Sequence, residues 1–482
     1  MSWEPVIGIE VHVELKTDSK MFCGCRADFG AAPNTNICPV CLALPGALPV
    51  PNEQAIEWIV RIGLALNCTI APESIFHRKN YFYADLPKNY QISQYDLPVC
   101  TAGYLDVDLD GETARVAINR VHQEEDTGKS IHVGGGGRIH SAEATLLDFN
   151  RAGVPLVEIV SEPDIHSPAQ ARAYAQQLRS LVESLGVSDA KLEEGSMRFD
   201  ANVSIKPAGE EELGAKVEVK NMNSFRSLER ALAYEIDRQT EVLESGREVP
   251  QETRHWDEAA GVTQSMRSKE VSSDYRYFAE PDLVPIVISE ERREQIRATL
   301  PELPHQRIAR YIESGLDSHA ASVLVSGEMG LGALFEEAVH NGADPKQVAN
   351  WLTGETTAYL RKQETTIDRT ALTAAHLVQM TGMLTEGRLS SSAAKEVLAG
   401  VLEGDGSPEE VAADRDLIQM SDTGAIESAV DGVLASNPDA LEKLRGGDMK
   451  PFGFLVGQVM RATGGKADPK VVNEILRERA AR

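Results

Sequence analysis

The sequence predicts an α+β protein: a sheet-rich first half followed by an all-helical region and a helical tail. Three observations carry this. Strand-like alternation recurs as far as residue 219, only two long helical segments interrupt it, and beyond about Arg292 strand signals fade while proline-led helix starts recur.

Residues 9–15 alternate apolar and polar side chains, the period of a half-buried strand, with Glu10, His12 and Glu14 on the polar face. Further strands are expected at 104–109, 114–119, 141–149, 156–160, 199–205 and 216–219, with 134–137 as a flexible glycine hairpin tip. Ser167-Pro168-Ala169-Gln170 reads as a capping box with proline in the first turn of a helix that Gly186 ends. A second helix is expected from about Phe225 to Ser245, stopped by Gly246. Later helices should start at Asp344-Pro345, at Ser407-Pro408 with Glu410 closing a capping box, at Asn437-Pro438 and at Asp468-Pro469. Gly404–Gly406 suggests a break. Three regions follow, 1–291, 292–404 and 405–482, about the number that 482 residues allow.

Hydrophobic content of 42% and charged content of 25% describe an ordinary globular chain. No apolar run is long enough to span a membrane. Met1-Ser2-Trp3-Glu4-Pro5 lacks the basic and apolar regions of a signal peptide, so a cytoplasmic location is expected. A net charge of −26 argues against a chain whose whole surface binds nucleic acid. Residues 441–482 differ, with nine Lys or Arg against five Asp or Glu, a net +4; this suits local RNA docking or a solvated helix face.

Of the six cysteines, Cys23, Cys25, Cys38 and Cys41 form two short pairs that can place four thiolates around a structural Zn²⁺. Four reduced thiols in a loop are the alternative. A redox pair is disfavoured, because Cys38-Pro39-Val40-Cys41 does not open a helix after a strand. Cys68, in the apolar run 62–70, reads as a small buried hydrophobe.

The segment His122–Ser130 gathers Glu124, Glu125 and Asp126 beside Lys129, a composition that suits a hard cation and phosphate, or else a solvated charge run in a hairpin loop. It ends in Gly-Lys-Ser, but no glycine stands five positions before Gly128, so it is not a P-loop. Glu10 and His12 share a strand face, as metal ligands or as a satisfied polar pair. Glu158 stands in the apolar strand 154–160, where a carboxylate is costly unless paired or metal-bound. Aromatics interleave with Lys79 and Lys88 in segment 78–90 and with basic residues in 267–278, a pattern for stacking plus phosphate contact or for a buried aromatic loop. There is no Gly-x-Ser-x-Gly elbow, dinucleotide fingerprint or Ser-rich amidase segment, so nucleophilic hydrolysis by this chain alone is unsupported.

Gly8-Ile9-Glu10-Val11-His12-Val13-Glu14-Leu15, segments 78–95 and 122–130, Asp148-Phe149-Asn150-Arg151-Ala152-Gly153-Val154-Pro155, Glu194–Asn202, Lys220–Phe225 and Asp274–Phe278 stand in one order along the chain. Over essentially its whole length the chain closely resembles the B-subunit family of the aspartyl/glutamyl-tRNA amidotransferases. The resemblance implies an ATP-dependent ligase within a heterotrimer. Such an enzyme phosphorylates the side-chain carboxylate of Glu or Asp mischarged on the glutamine or asparagine tRNA. Ammonia from a glutaminase (amidase) partner then displaces phosphate, and a small third component bridges the two. Implied with it are a catalytic cradle over 1–291, a helical region and a tRNA-contacting tail. Mg²⁺ and ATP handling falls to Glu10, His12, Glu124, Glu125 and Glu158, with phosphate or substrate contacts from Lys79, Lys88, Arg198, Asp200, Asn202 and Asn221. The four cysteines imply a zinc-bearing version. An RNA-docking scaffold and a stand-alone ATP-dependent amide ligase are the rival classes.

Overall fold

The structure, a computed structural model, describes residues 2–109, 111–134, 142–268, 275–326, 330–419, 423–446, 448–464 and 466–481. Most of the expected glycine tip (135–137), and the Lys269 and Asp274 parts of the second aromatic segment, lie outside these residues. The large sheet-rich first part and the helical second part make the chain α+β, as expected. Two compact units divide it, Met1–Pro304 and His305–Arg482.

In chain order the first unit contains β1 (Trp3–Glu14), α1 (Glu53–Ala65), β2 (Thr69–Ile70), β3 (Glu73–Ser74), β4 (His77–Asn80), β5 (Tyr90–Ser93), β6 (Cys100–Leu109), β7 (Glu112–Glu125), β8 (Lys129–Val133), β9 (Ala144–Asp148) and β10 (Pro155–Ser161). Then come α2 (Pro168–Ser184), β11 (Met197–Pro207), β12 (Val217–Met222), α3 (Phe225–Glu244), β13 (Glu252–Asp257), β14 (Val262–Ser268), β15 (Phe278–Ala279), β16 (Ile286–Val287) and α4 (Glu290–Ala298). Nine strands form one sheet in the order β14-β13-β12-β11-β1-β10-β7-β6-β2. Among the described residues, only β12 and β13 pair in parallel. A three-stranded sheet, β15-β4-β5, and the antiparallel pair β8-β9 stand apart from it.

The pleat sorts β1 into two faces. Ile7, Ile9, Val11 and Val13 are buried in one apolar core with Ile59 and Ile62 of α1, Tyr174 and Leu178 of α2, and Leu228 and Leu232 of α3. The helices therefore cover that face, and Glu10, His12 and Glu14 stand on the other. Asn52 caps α1 by accepting from the Gln54 and Ala55 N–H groups. Ser167 caps α2 through the Gln170 N–H at 3.1 Å, but Gln170 accepts from the His166 N–H at 2.9 Å, so the reciprocal bond falls one residue upstream of the expected box. The expected loop reading of His122–Glu125 is corrected: β7 runs on through all four residues and buries them.

In the second unit helices start at Pro345, Pro408, Pro438 and Pro469 as the sequence predicts, and Ser407 with Glu410 closes a full capping box. One core joins residues from Tyr311 to Ala412, and a separate one joins residues from Ile426 to Leu476. Gly404 ends a helix whose Val401 packs in the same core as Val411, so the glycine pair turns the chain inside that core.

Gly103, in β6, packs closely against the segment that joins α1 to β2. A Cβ there would lie 2.5 Å from the Leu66 carbonyl oxygen and 2.3 Å from the Cys68 sulfur, whereas one on Gly453 meets nothing within 4 Å. Gly103→Ala is expected to lower unfolding free energy by about 1–3 kcal/mol, and Gly453→Ala to leave it nearly unchanged, as read from urea midpoints at constant slope.

Candidate functional site

Antiparallel register carries the polar face of β1 across its neighbours. His12 stands opposite Glu158 of β10 and Arg198 of β11, and Glu158 stands opposite His122 of β7. Directly opposed residues share a face, so Arg198, His12, Glu158 and His122 form one row over four strands. Glu124, two residues beyond His122, joins the row from the same strand.

The row closes into a compact cluster. Glu158 Oε2 lies 3.6 Å from His12 Nε2 and 3.3 Å from His122 Nε2, and Glu124 Oε1 lies 3.4 Å from His122 Nε2. Lys79 of β4 reaches Glu124 Oε1 at 3.4 Å, the Ser93 hydroxyl donates to it at 2.8 Å, and Gln91 Nε2 donates to Oε2 at 3.1 Å. Ligand atoms of His12, Glu124 and Glu158 all lie within 4.8 Å of one another. Two carboxylates and an imidazole at that spacing are a donor set for a divalent cation.

Charge compensation makes these buried carboxylates tolerable. Burial opposes ionisation of Glu124, and Lys79 and His122 overcome it, bringing its pKa to about 2. Glu158 is likewise held well below the usual carboxylate range, by His122 and His12 against burial. Burial opposes protonation of His122, yet Glu158 and Glu124 raise its pKa to about 9. Cation binding needs His12 neutral, so it must release whatever proton Glu158 holds there.

A second carboxylate set, Glu10, Asp200 and Glu218, adjoins the row. Lys220 bridges Asp200 at 2.5 Å and Glu218 at 3.1 Å, and Asn202 donates to Glu10 at 2.9 Å. Arg198 faces Asp126 at 2.5 Å and Glu14 at 3.9 Å, with Arg151 3.7 Å from Asp126.

Three expected site residues lie elsewhere. Glu125 follows Glu124 in the strand, so the pleat aims it at the opposite side. There it pairs with Lys88, and Oε1 accepts from the Ile92 N–H at 2.9 Å. Lys88 and Glu125 line a cavity of about 100 Å³ with Lys20, Cys23 and Cys41, and neither joins the His12 cluster. Asn221, in the left-handed region at φ 69°, donates to the Trp256 carbonyl at 2.9 Å, tying β12 to β13 and not lining the basin. Sequence reasoning also passed over His122, Glu218 and Lys220. Parity with Glu124, and alternation within 216–219, were the signals for them.

The four clustered cysteines converge, with one sulfur each within 4.8 Å of the others. Cys38 and Cys41 sulfurs stand 3.9 Å apart, close to the edge of about 3.8 Å that Zn–S bonds of about 2.3 Å impose on a tetrahedron. The Cys41 thiol is pulled down to about 4 by a hydrogen bond from Cys23, with the Cys38 N–H and the buried Lys20 adding to it. Cys68 is buried in the apolar core, as expected.

Residues 5–294 match the family described as "GatB/GatE catalytic domain", and 333–479 match the "GatB domain". A Thermodesulfovibrio yellowstonii protein, named as the B subunit of aspartyl/glutamyl-tRNA(Asn/Gln) amidotransferase, is 50% identical over 477 residues, covering 99% of each chain. The Moorella thermoacetica protein of the same name is 50% identical over 480 residues, covering 99% of this chain and 100% of its own. The Synechocystis counterpart is 49% identical over 481 residues, covering 98% and 97%.

His122 is held charged by its neighbours, so its ion pairs stabilise the fold fully below its ordinary value of 6.5, and that contribution is lost as pH rises through about 9. By histidine NMR in chelator-treated buffer, His122 should titrate near 9, and in Glu158→Gln at least one unit lower. An unchanged titration in that variant would show that Glu158 is not its partner.

Proposed function

The chain belongs to the B-subunit family of the aspartyl/glutamyl-tRNA(Asn/Gln) amidotransferases, and from that premise we propose that it carries the ATP-dependent ligase half of a tRNA-dependent transamidation. The single observation that carries the reading is the buried convergence of His12, Glu124 and Glu158 beside Lys79. An amidotransferase component that only docked RNA has no use for two buried carboxylates held ionised.

The reaction proposed converts Glu-tRNA(Gln) to Gln-tRNA(Gln), Asp-tRNA(Asn) to Asn-tRNA(Asn), or both. A free carboxylate is a poor electrophile. Its oxygen attacks the γ-phosphorus of ATP, ADP departs, and the resulting acyl phosphate carries a leaving group. The nitrogen lone pair of ammonia then adds to the acyl carbon, phosphate leaves and the nitrogen gives up one proton, which the departing phosphate can take, giving the amide. His12, Glu124 and Glu158 would hold Mg²⁺, with Glu10 and Asp200 in the adjoining set. Bound there, Mg²⁺ would neutralise phosphate charge and orient the transfer. Lys79, whose ammonium the neighbouring Glu124 holds protonated, offers a fixed positive charge to a phosphoryl or carboxylate oxygen. Asn202 holds Glu10, and Lys220 holds Asp200, in place. Arg198 stands at the edge of the same row, able to meet an anionic substrate group.

Division of labour follows from the same premise. The chain lacks a hydrolytic nucleophile motif, so we assign ammonia production to a glutaminase partner, joined by a small bridging protein in a heterotrimer. The first unit is the catalytic part; the helical half and its +4 tail meet the body of the mischarged tRNA. The setting proposed is the cytoplasm; among the described residues no helix is long and apolar enough to cross a membrane. The four cysteines hold a structural zinc, which leaves no open position for substrate.

Co-expressed with the glutaminase and bridging partners, the chain should form amide on Glu-tRNA, Asp-tRNA or both, given ATP, Mg²⁺ and glutamine. Absence of product on both, with glutaminase activity intact, would sink the reading. Glu124→Gln and Glu158→Gln should each lower amide formation about a hundredfold or more while glutamine hydrolysis persists.

Elemental analysis of the purified chain should find one zinc. Cys38→Ser should lose it and unfold at lower temperature, and retention of zinc in that variant would disprove the Cys₄ assignment.

A further inference from the structure

The site is flanked by a row of aromatic rings that the chemistry above leaves unused. Tyr81 and Tyr83 follow β4, Tyr95 follows β5, and Tyr275 and Tyr277 precede β15. Ring centroids step 5.8 Å from Tyr83 to Tyr81, 6.1 Å to Tyr275, 6.2 Å to Tyr277 and 4.4 Å to Tyr95, the last pair stacked with planes 14° apart. His77 continues the series 6.3 Å beyond Tyr95.

These rings are not core packing. Tyr95 is 60% exposed, Tyr83 55% and Tyr275 40%, and the adjoining Phe82 is 70% exposed. A contiguous exposed aromatic surface of this kind marks a binding face. Its middle meets the site directly. Lys79 Nζ sits 5.5 Å from the Tyr275 ring centre and 3.4 Å from Glu124. The Tyr81 hydroxyl donates to Gln91 Oε1 at 3.2 Å, and Gln91 in turn donates to Glu124.

We propose that these rings are the stacking platform for the unpaired 3′ end of the aminoacylated RNA, an inference that rests on the transamidation reading. Unstacked bases at RNA ends are recognised by stacking on Tyr and Phe, with cations taking the backbone. The amino acid hangs from the terminal ribose, so the last bases must lie near the carboxylate being phosphorylated. A series of rings whose middle member, Tyr275, lies against Lys79 and whose two ends, Tyr83 and Tyr95, are exposed has that placement. The adenine of ATP needs one sandwich between two groups, whereas five tyrosines in sequence with open outer rings suit successive bases.

The test uses the assembled complex with Tyr83→Ala and Tyr95→Ala, exposed positions where truncation spares the fold, and with Tyr83→Phe and Tyr95→Phe. Binding is measured to tRNA with an intact 3′ end and to tRNA trimmed of its last three nucleotides, alongside the KM for ATP. Expected is a loss of about tenfold per ring removed on intact tRNA, recovery in the Phe variants, no change on trimmed tRNA, and an unchanged KM for ATP. A raised KM for ATP with unchanged tRNA binding would assign the rings to the nucleotide and overturn the proposal. Equal losses on intact and trimmed tRNA, or none, would overturn it as well. Failure of the wild-type complex to amidate any tRNA would refute the reaction and not this platform, because the intact-versus-trimmed comparison reads binding alone.

Discussion

Glu158 is the residue on which the site depends. It lies buried in a mostly apolar strand, between His12 on one neighbouring strand and His122 on the other. An isolated carboxylate there would be costly. Two imidazoles bring its cost down, and by the same interactions they fix which strands must neighbour β10 and in what register. A one-residue slip of β1 against β10 would send His12 into the apolar core and bring Val11 or Val13 onto the polar row. Fold and site are therefore held by one constraint.

The compensation spreads outward from that pair. Lys79, carried by a separate three-stranded sheet, supplies the positive charge that Glu124 needs, and Ser93 and Gln91 of the same sheet fill the remaining acceptor positions. Lys220 does the same for Asp200 and Glu218, and Arg198 for Asp126. Every carboxylate on this face has a cation or amide in contact, which keeps a dense acidic surface compact without a ligand. The same arrangement means that an entering divalent cation competes with protein cations for the carboxylates.

The pleat also separates two chemistries that adjoin in sequence. Glu124 belongs to the histidine row, while Glu125 pairs with Lys88 beside the cysteine cluster. Lys20 stands buried between that cluster and the Phe149 carbonyl. It offsets the negative charge that four thiolates would bring together, as Lys79 does for Glu124.

Local pattern was enough for much of this molecule. Alternation along residues 9–15 gave the faces of β1, proline-led starts gave four helices of the second unit, and the paired cysteine spacing gave the four-cysteine cluster, because each depends on neighbours within one strand, turn or loop. The α+β order and the family followed from the same stretches. Local pattern missed α1, β13 and β14, and it did not show that β7 runs on through His122–Glu125. What brought His12, Glu158 and His122 together was strand order and register across β1, β10 and β7, which depends on residues far apart in the chain. The separation of Glu124 from Glu125, the arrival of Lys79 over the sheet, and the use of Asn221 to tie β12 to β13 were likewise settled only by the tertiary structure. A sequence states which side chains alternate; only packing decides which face is buried and which distant charge arrives to meet it.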